Sequence, residues 1–337
     1  DTLTHALSGA LLARATASAT QAHLAPGPRM AAGFFAAAFP DCDFALRLID
    51  TLAYLNLHRG MTHSVILLPI WSLGLSLLFS AFTGGRLNWR AFYGVATLGI
   101  AIHIAGDVVT SYGTMVLSPF SNSKLAIPLV FILDPYFTAI IVIGLLASGT
   151  QRRYPAIIAL ACLLAYVSMQ AFLRDQARAI GEAYAAESGI LNATVHAFPQ
   201  PLSPFNWMII VSSPRAHEQA FVNLMRTKKR VPGDWLFGRI YSGYAPRSSA
   251  EWTRWPRTAG DDIARQAWND PALDAFRRFA EIPALLEIET KNGEQCVWFV
   301  DLRFTLPAVA PSFVYGACRE GAAPWRLARM KGQFFLD

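Results

Sequence analysis

Histidine and aspartate recur together in short clusters through the first half of this chain. Asp1 accompanies His5, Asp41 and Asp43 lie in Pro-Asp-Cys-Asp, and His58 and His63 flank Arg59 in His-Arg-Gly-Met-Thr-His-Ser; His103 then precedes Asp107, and Asp134 follows. Of the six acidic residues before position 174 only Asp50 stands outside these groups, and no Glu occurs before Glu182. An ionised carboxylate in or near hydrocarbon is costly unless paired, protonated or bound to a cation, so a stretch this poor in charge calls for local positive charge. Eight residues are therefore candidate metal ligands: His5, Asp41, Asp43, His58, His63, His103, Asp107 and Asp134. Together they could hold two ions, or three with waters completing the shells. Mixed imidazole and carboxylate donors suit Zn²⁺ best, with Mn²⁺ or Fe²⁺ the other candidates. Asp43 could alternatively serve as a general base, and the planar fork of Arg59 could clamp a phosphate oxygen.

Spacing says how these side chains might meet. His103 and Asp107 are an i,i+4 pair, as are Asp1 and His5, so on a helix each pair shares one face about one turn apart. A His-Asp hydrogen bond inside a bundle would explain the first equally well, and a helix cap would explain Asp1. Asp41 and Asp43 would face the same side of an extended segment. Thr62 would cap a helix with His63 in its first turn. Asp134, well inside an apolar run, needs a partner, which would be a metal, an arginine or a metal-bound histidine. Cysteine ligation is not expected: Cys42 is alone near the clusters and Cys162 lies in an apolar run, while Cys296 and Cys318 could form a disulfide in an oxidising compartment.

The positioning elements follow from composition. The chain has 337 residues, 53% hydrophobic and 15% charged, too apolar on average for an ordinary soluble enzyme. Runs 64–83, 91–109, 127–147 and 155–173 each approach the roughly 20 residues needed to cross a bilayer as a helix and are read as four spanning helices. Two shorter apolar stretches, 3–17 and 30–39, flank a loop at Pro26, Gly27 and Pro28, and could be short spans, re-entrant or interfacial helices. The opening residues carry no basic leader, so a cleaved signal peptide is not expected. From residue 174 the chain becomes charged, aromatic and turn-rich. Segments 207–211, 235–241, 285–290, 297–304 and 313–318 read as strands, Lys291-Asn292-Gly293 as a hairpin turn, and 261–280 as an amphipathic helix. The expected architecture is an all-α membrane helical bundle over 1–173 followed by an α+β extramembrane domain over 174–337. The net charge of +6 suits membrane topology better than nucleic acid, since there is no long basic run beyond 226–230, and no nucleic-acid partner is expected.

Orientation brings the ligands together. Arg86 and Arg90 lie between the first and second long runs, and Arg152 and Arg153 between the third and fourth; short arginine-rich loops stay in the cytoplasm. The ends that carry His58, His63, His103, Asp107 and Asp134 then all face outward. A hairpin of the two short segments, with Arg14 and Arg29 at its inner turn, would send Asp1, His5, Asp41 and Asp43 there too, and the C-terminal domain would follow on the same side. Arg174 and Arg178 oppose this orientation.

In the ensemble Asp1-x-x-Thr4-His5, Pro40-Asp41-x-Asp43, His58-Arg59-x-x-Thr62-His63-Ser64, His103-x-x-x-Asp107 with Ser111-Tyr112-Gly113, and Pro119-Phe120, the first 140 or so residues resemble the YdjM-type membrane-bound metal-dependent hydrolases. The resemblance implies a multi-pass bacterial inner-membrane protein with a metal-dependent hydrolase activity. The order of donors is also distantly similar to the zinc-dependent phospholipase C and P1 nuclease group, which implies a multi-zinc phosphoesterase, although the second His-x-x-x-Asp pair of that group is lacking. The function expected is thus metal-assisted hydrolysis of a phosphoester on a membrane lipid or lipid-linked substrate. An ion or proton transporter would instead spread its donors through the membrane depth, and a scaffold with a structural metal would close the coordination shell.

Overall fold

The computed structural model describes residues 1–17, 24–149, 151–231, 233, 235–258 and 261–330. The chain divides into two compact units, Asp1–Ala171 and Phe172–Asp337. In the first unit the helices are α1 (Thr2–Ala15), α2 (Pro26–Ala38), α3 (Thr51–Leu57), α4 (Leu68–Phe82), α5 (Trp89–Val108), α6 (Pro135–Ser148) and the first part of α7 (Tyr154–Glu187), with a 3-10 segment, Phe39–Leu48, between α2 and α3. Small residues decide how closely these helices approach. A Cβ on Gly9 of α1 would collide with the carbonyl of Gly33 in α2, and one on Gly99 of α5 would lie 2.9 Å from the same carbonyl oxygen. Backbones that meet this closely are how helices associate where the surroundings are as apolar as the side chains.

Four continuous spanning helices are not what forms. Among the described residues α5 and α7 are long and apolar enough to cross a membrane, and a third span exists only if Thr51–His63 and Leu68–Phe82, bent by 80° at their junction, count as one. The run 64–83 begins its helix at Leu68 because the Ser64 hydroxyl accepts from the amides of Ile66 and Leu67 and the chain turns there first. The run 127–147 becomes helical only from Pro135, whose fixed φ suits a first turn and whose predecessor Asp134 caps it. The same property of proline puts Pro26 and Pro28 inside the first turn of α2, where a loop was expected.

The second unit is sheet-rich. Strands β1 (Thr194–Pro199), β2 (Asn206–Ser212), β3 (Ala216–Asn223), β4 (Ala245–Pro246) and β5 (Trp252–Pro256) form one sheet, in which β3 pairs with β2, β4 and β5. Strands β6 (Pro283–Lys291), β7 (Glu294–Asp301), β8 (Tyr315–Glu320) and β9 (Arg326–Arg329) form an antiparallel second sheet. The β6–β7 hairpin turns at Asn292 and Gly293, both at positive φ, as the Asn-Gly pair predicts. Met208 and Ile210 of β2 pack with Val300 and Trp298 of the second sheet, while Trp207 and Ile209 pack with Leu173 and Ala177 of α7. Burial on both faces explains why 207–211 is a continuous apolar run.

Two expectations fail in this unit. Residues 235–241 fold as helix α8 (Leu236–Ser242), since Phe237, Ile240 and Tyr241 also satisfy helical spacing. The helix expected over 261–280 breaks into α9 (Asp262–Asn269), a 3-10 turn at Pro271–Leu273 and α10 (Asp274–Phe279), because Pro271 cannot continue the hydrogen-bond ladder. Cys296 and Cys318 face each other across β7 and β8 and form a disulfide.

Candidate metal centre

The centre is built on the last turns of α5. His103 and Asp107 project from adjacent turns and are 0% and 1% exposed. The Ala37 carbonyl lies 2.5 Å from His103 Nδ1 and accepts its proton, which leaves the lone pair of Nε2 directed into the site. Helix α1 brings His5 alongside, with Nε2 3.1 Å from Asp107 Oδ1. That approach requires Gly106, where a Cβ would sit 2.9 Å from His5 Cε1. His63 arrives from the 3-10 turn Met61–His63, fully buried. Its Nε2 lies 3.1 Å from Asp107 Oδ2 and 3.0 Å from His103 Nε2, and His103 Nε2 lies 3.2 Å from the same oxygen.

This convergence is hard to satisfy with protons alone. Two imidazole nitrogens facing each other share at most one proton, and neither Asp107 oxygen has a well-aligned hydrogen bond among the described residues although both are buried. Leaving a buried carboxylate in that condition is costly. Donor atoms sharing one Zn²⁺ at about 2.0–2.1 Å lie roughly 3.3 Å from one another, and the separations here are close to that. The donor set fits a divalent cation.

A second group adjoins the first. Asp41 Oδ1 lies 3.7 Å from His63 Nε2 and 3.6 Å from His103 Nε2, and its Oδ2 accepts from Thr2 at 2.5 Å. Burial alone would raise the pKa of Asp41, but His63, His103 and the Thr2 hydroxyl outweigh it and hold the carboxyl well below the usual carboxylate range. Asp43 Oδ1 pairs with His58 Nδ1 at 2.8 Å, while its Oδ2 accepts from the Arg59 amide at 3.1 Å. Among the described residues of the first unit, three sets have donor atoms within 4.8 Å of one another: His5, His103 and Asp107; Asp41, His63 and His103; and Asp41, Asp43 and His58. Asp41, a carboxylate with two oxygens, and His103, through Nε2 alone, each belong to two sets, so the sets adjoin. Asp41 and Asp43 bring carboxylate oxygens within 4.8 Å of one another, as expected, but from a 3-10 segment instead of an extended one, and their other contacts differ.

The pattern of the YdjM inner membrane protein family matches residues 1–177. The chain belongs to that family. A relative, the uncharacterized protein YfhP of Bacillus subtilis (strain 168), is 29% identical over 97 residues, which are 29% of this chain and 29% of the relative. No solved structure matches. The protein is thus an inner-membrane family member whose matched region contains every clustered histidine and aspartate described above.

Two candidate residues have other work. Asp134 is absent from the clustered sets; its Oδ1 accepts from the amides of Tyr136 and Phe137 at 2.9 Å each and its Oδ2 from the Tyr166 hydroxyl at 2.7 Å. The partner of this carboxylate is the N-terminus of α6 and a tyrosine, an arrangement that stabilises negative charge without a cation. Arg59, 2% exposed, directs Nη2 to Asp107 Oδ1 at 2.8 Å and Nη1 to Thr110 Oγ1 at 2.7 Å. The fork expected to clamp a phosphate instead fixes a ligand. Its backbone adopts φ +61°, uncommon for a residue with a Cβ, and this sharp turn lets the amide serve Asp43 while the side chain serves Asp107. Thr62 caps no helix; its hydroxyl bonds Asp43 and His63 Nδ1 at 3.3 and 2.9 Å. Thr110 and Tyr112 adjoin the site: Thr110 accepts from Arg59, and the Tyr112 ring packs on the His58 ring and on the Arg59 guanidinium. The Ala37 carbonyl and Thr2 were missed. A backbone carbonyl carries no residue-type signal, and Thr2 stands 39 residues from its partner.

Proposed function

We propose that this protein is a membrane-bound, metal-dependent hydrolase acting on a phosphoester of a lipid or lipid-linked substrate. The observation that carries the reading is the meeting of His5, His63 and His103 with Asp107, at 3.0–3.2 Å and without the protons to bond them all. These residues and Asp41 would hold one ion, and Asp41, Asp43 and His58 a second, with Zn²⁺ preferred by the donor chemistry. Divalent cations there would supply Lewis acidity and acidify water near neutral pH. The surrounding residues hold the ligands in place. Ala37 sets the tautomer of His103, Arg59 balances and orients Asp107, Thr2 fixes Asp41, and Thr62 ties Asp43 to His63. Asp43, whose Oδ2 accepts from the Arg59 amide and Thr62 while Oδ1 faces His58, is also the carboxylate suited to accept a proton.

The concentration of donors at one end of the first unit supports a hydrolytic site over an ion pathway, which would distribute them along the helices. The opposite ends carry arginines: Arg14 donates to Gly149 O, Arg29 to Ala13 O and Arg153 to Ala17 O. That asymmetry supports a multi-pass topology with arginines in the cytoplasm and the site facing the periplasm. The Cys296–Cys318 disulfide supports an oxidising compartment for the second unit.

The test is metal analysis of the protein purified in detergent, beside His103→Ala/Asp107→Ala, with release of phosphate or phosphorylated headgroup from phospholipid micelles followed in parallel. Stoichiometric metal and turnover in the parent, both lost in the variant, are expected. Unchanged metal content in the variant would sink the site, and bound metal without turnover on any lipid phosphate would reduce it to a structural one.

A further inference from the structure

Beside the metal ligands, within the first unit, lies a cavity of about 300 Å³, inside the range of small-ligand pockets, about 300–1,000 Å³. Three of its sides are helical stripes, each at i, i+3, i+4 and i+7. Helix α1 and its cap contribute Asp1, Thr4, His5 and Ser8, a polar wall. Helix α5 and its C-cap contribute Ile102, Ala105, Gly106 and Val109, and α7 contributes Leu160, Leu163, Leu164 and Val167. Each stripe runs two helical turns, about 10 Å. Val130, Phe131, Ile132 and Phe137, with the α6 cap Asp134, close the remaining side. The cavity thus has one hydrophilic side carrying His5, itself on Asp107, and is otherwise lined mainly by apolar residues.

Three features say what fits. Two apolar walls come from α5 and α7, the two described helices long and apolar enough to cross a membrane. Leu164 is 70% exposed at the rim, so a hydrocarbon chain reaches the cavity from the bilayer without passing through water. The space exists because α5 carries Ala105 and Gly106 where its neighbouring stripe positions carry Ile102 and Val109; Gly106 admits His5, while Ala105 leaves room on the apolar side. We infer that this cavity holds the first segment of one alkyl chain of a lipid substrate, lying between α5 and α7 with the polar end of the lipid directed along α1 toward His5. This inference rests on the lipid-substrate reading above and adds the chain's binding site. A water-soluble phosphoester has no use for these apolar walls, whereas an alkyl chain already in the bilayer leaves one apolar environment for another and is held here by packing.

Photolabelling separates this inference from the hydrolase reading, because it needs no turnover. The probe is phosphatidic acid bearing a diazirine near the head of one acyl chain, incorporated into nanodiscs with the zinc-loaded, full-length protein. Label is expected on peptides containing Ile102 and Leu160–Leu164, competed by dodecyl phosphate. In Ala105→Trp, which fills the cavity from α5, that label should fall by about tenfold, equivalent to about 1.4 kcal/mol of lost affinity. Leu164→Trp narrows the same space from α7 and should act in the same direction, with zinc content reporting that each variant is folded. Label spread evenly over the outer surfaces of α4, α6 and α7, insensitive to competitor and to both tryptophans, would overturn the proposal. Specific label without phosphoester turnover would leave the chain site standing and the hydrolase reading fallen.

Discussion

Each unit buries an aspartate against an arginine, and the two pairs behave oppositely. In the second unit Asp301, 0% exposed, accepts from Nε and Nη2 of Arg303 and from the amides of Glu281 and Arg303 at 3.1 Å each, while Arg303 also reaches Glu281 and the Phe279 carbonyl. Every lone pair has a donor, so the pair is closed. In the first unit Asp107, 1% exposed, has Arg59 on one oxygen and three histidine nitrogens at 3.1–3.2 Å around both. His103 Nε2, its proton held on Nδ1 by the Ala37 carbonyl, brings a lone pair where Asp301 meets protons. Asp301 is thus saturated by donors, while the surroundings of Asp107 are those the proposed cation would complete.

Exchanging the roles of the two aspartates gives the largest effects. Asp107→Asn keeps shape but removes the charge that would balance the proposed cation, so metal content should collapse and any phosphoester turnover fall more than about a hundredfold, read by metal analysis and assay. Asp301→Ala should leave metal content intact and lower the stability of the sheet-rich unit by about 3–5 kcal/mol, because Arg303 is stranded in the interior; denaturant unfolding measures it. If both variants lost metal equally, the contrast between the pairs would be wrong.

Smaller effects sharpen the picture within the second unit. Reducing the Cys296–Cys318 bridge, or Cys296→Ser, opens a link across a separation of 22 residues and should lower stability by about 2–4 kcal/mol, seen as a shift in denaturation midpoint under reducing conditions with zinc content unchanged. The smallest effect is at His217. Burial, with Arg257 nearby, pushes its pKa down to about 4 from an ordinary 6.5, so the imidazole stays neutral in the fold while the unfolded chain takes up a proton. Its contribution is intact above pH 6.5 and declines as the pH falls from there toward 4. His217→Gln should flatten that part of the thermal stability profile, and an unchanged slope would show that other groups cause it.

How much of this was legible depends on the range of the interaction. The His103–Asp107 spacing on α5, the Asn292-Gly293 hairpin and the 296–318 bridge were readable because each depends on local periodicity or on strand pairing announced by its turn. Asp134 was misread although its sequence held the answer: Asp before Pro is a helix start, and that signal outranked the demand for a metal. The 261–280 helix was misjudged the same way, with Pro271 inside it. Nothing local foretold that Asp41 would turn to Thr2, His63 and His103 while Asp43, two residues on, turned to His58 and Arg59.

The amino-acid sequence by itself determined the cast: which donors exist, which pairs share a helical face, and which half of the chain is apolar enough for a bilayer. Which donors come within reach of one another was decided only in three dimensions. Coordination depends on distances of a few ångströms between side chains up to a hundred residues apart, and those distances are set where Gly9, Gly33, Gly99 and Gly106 let α1, α2 and α5 close on one another.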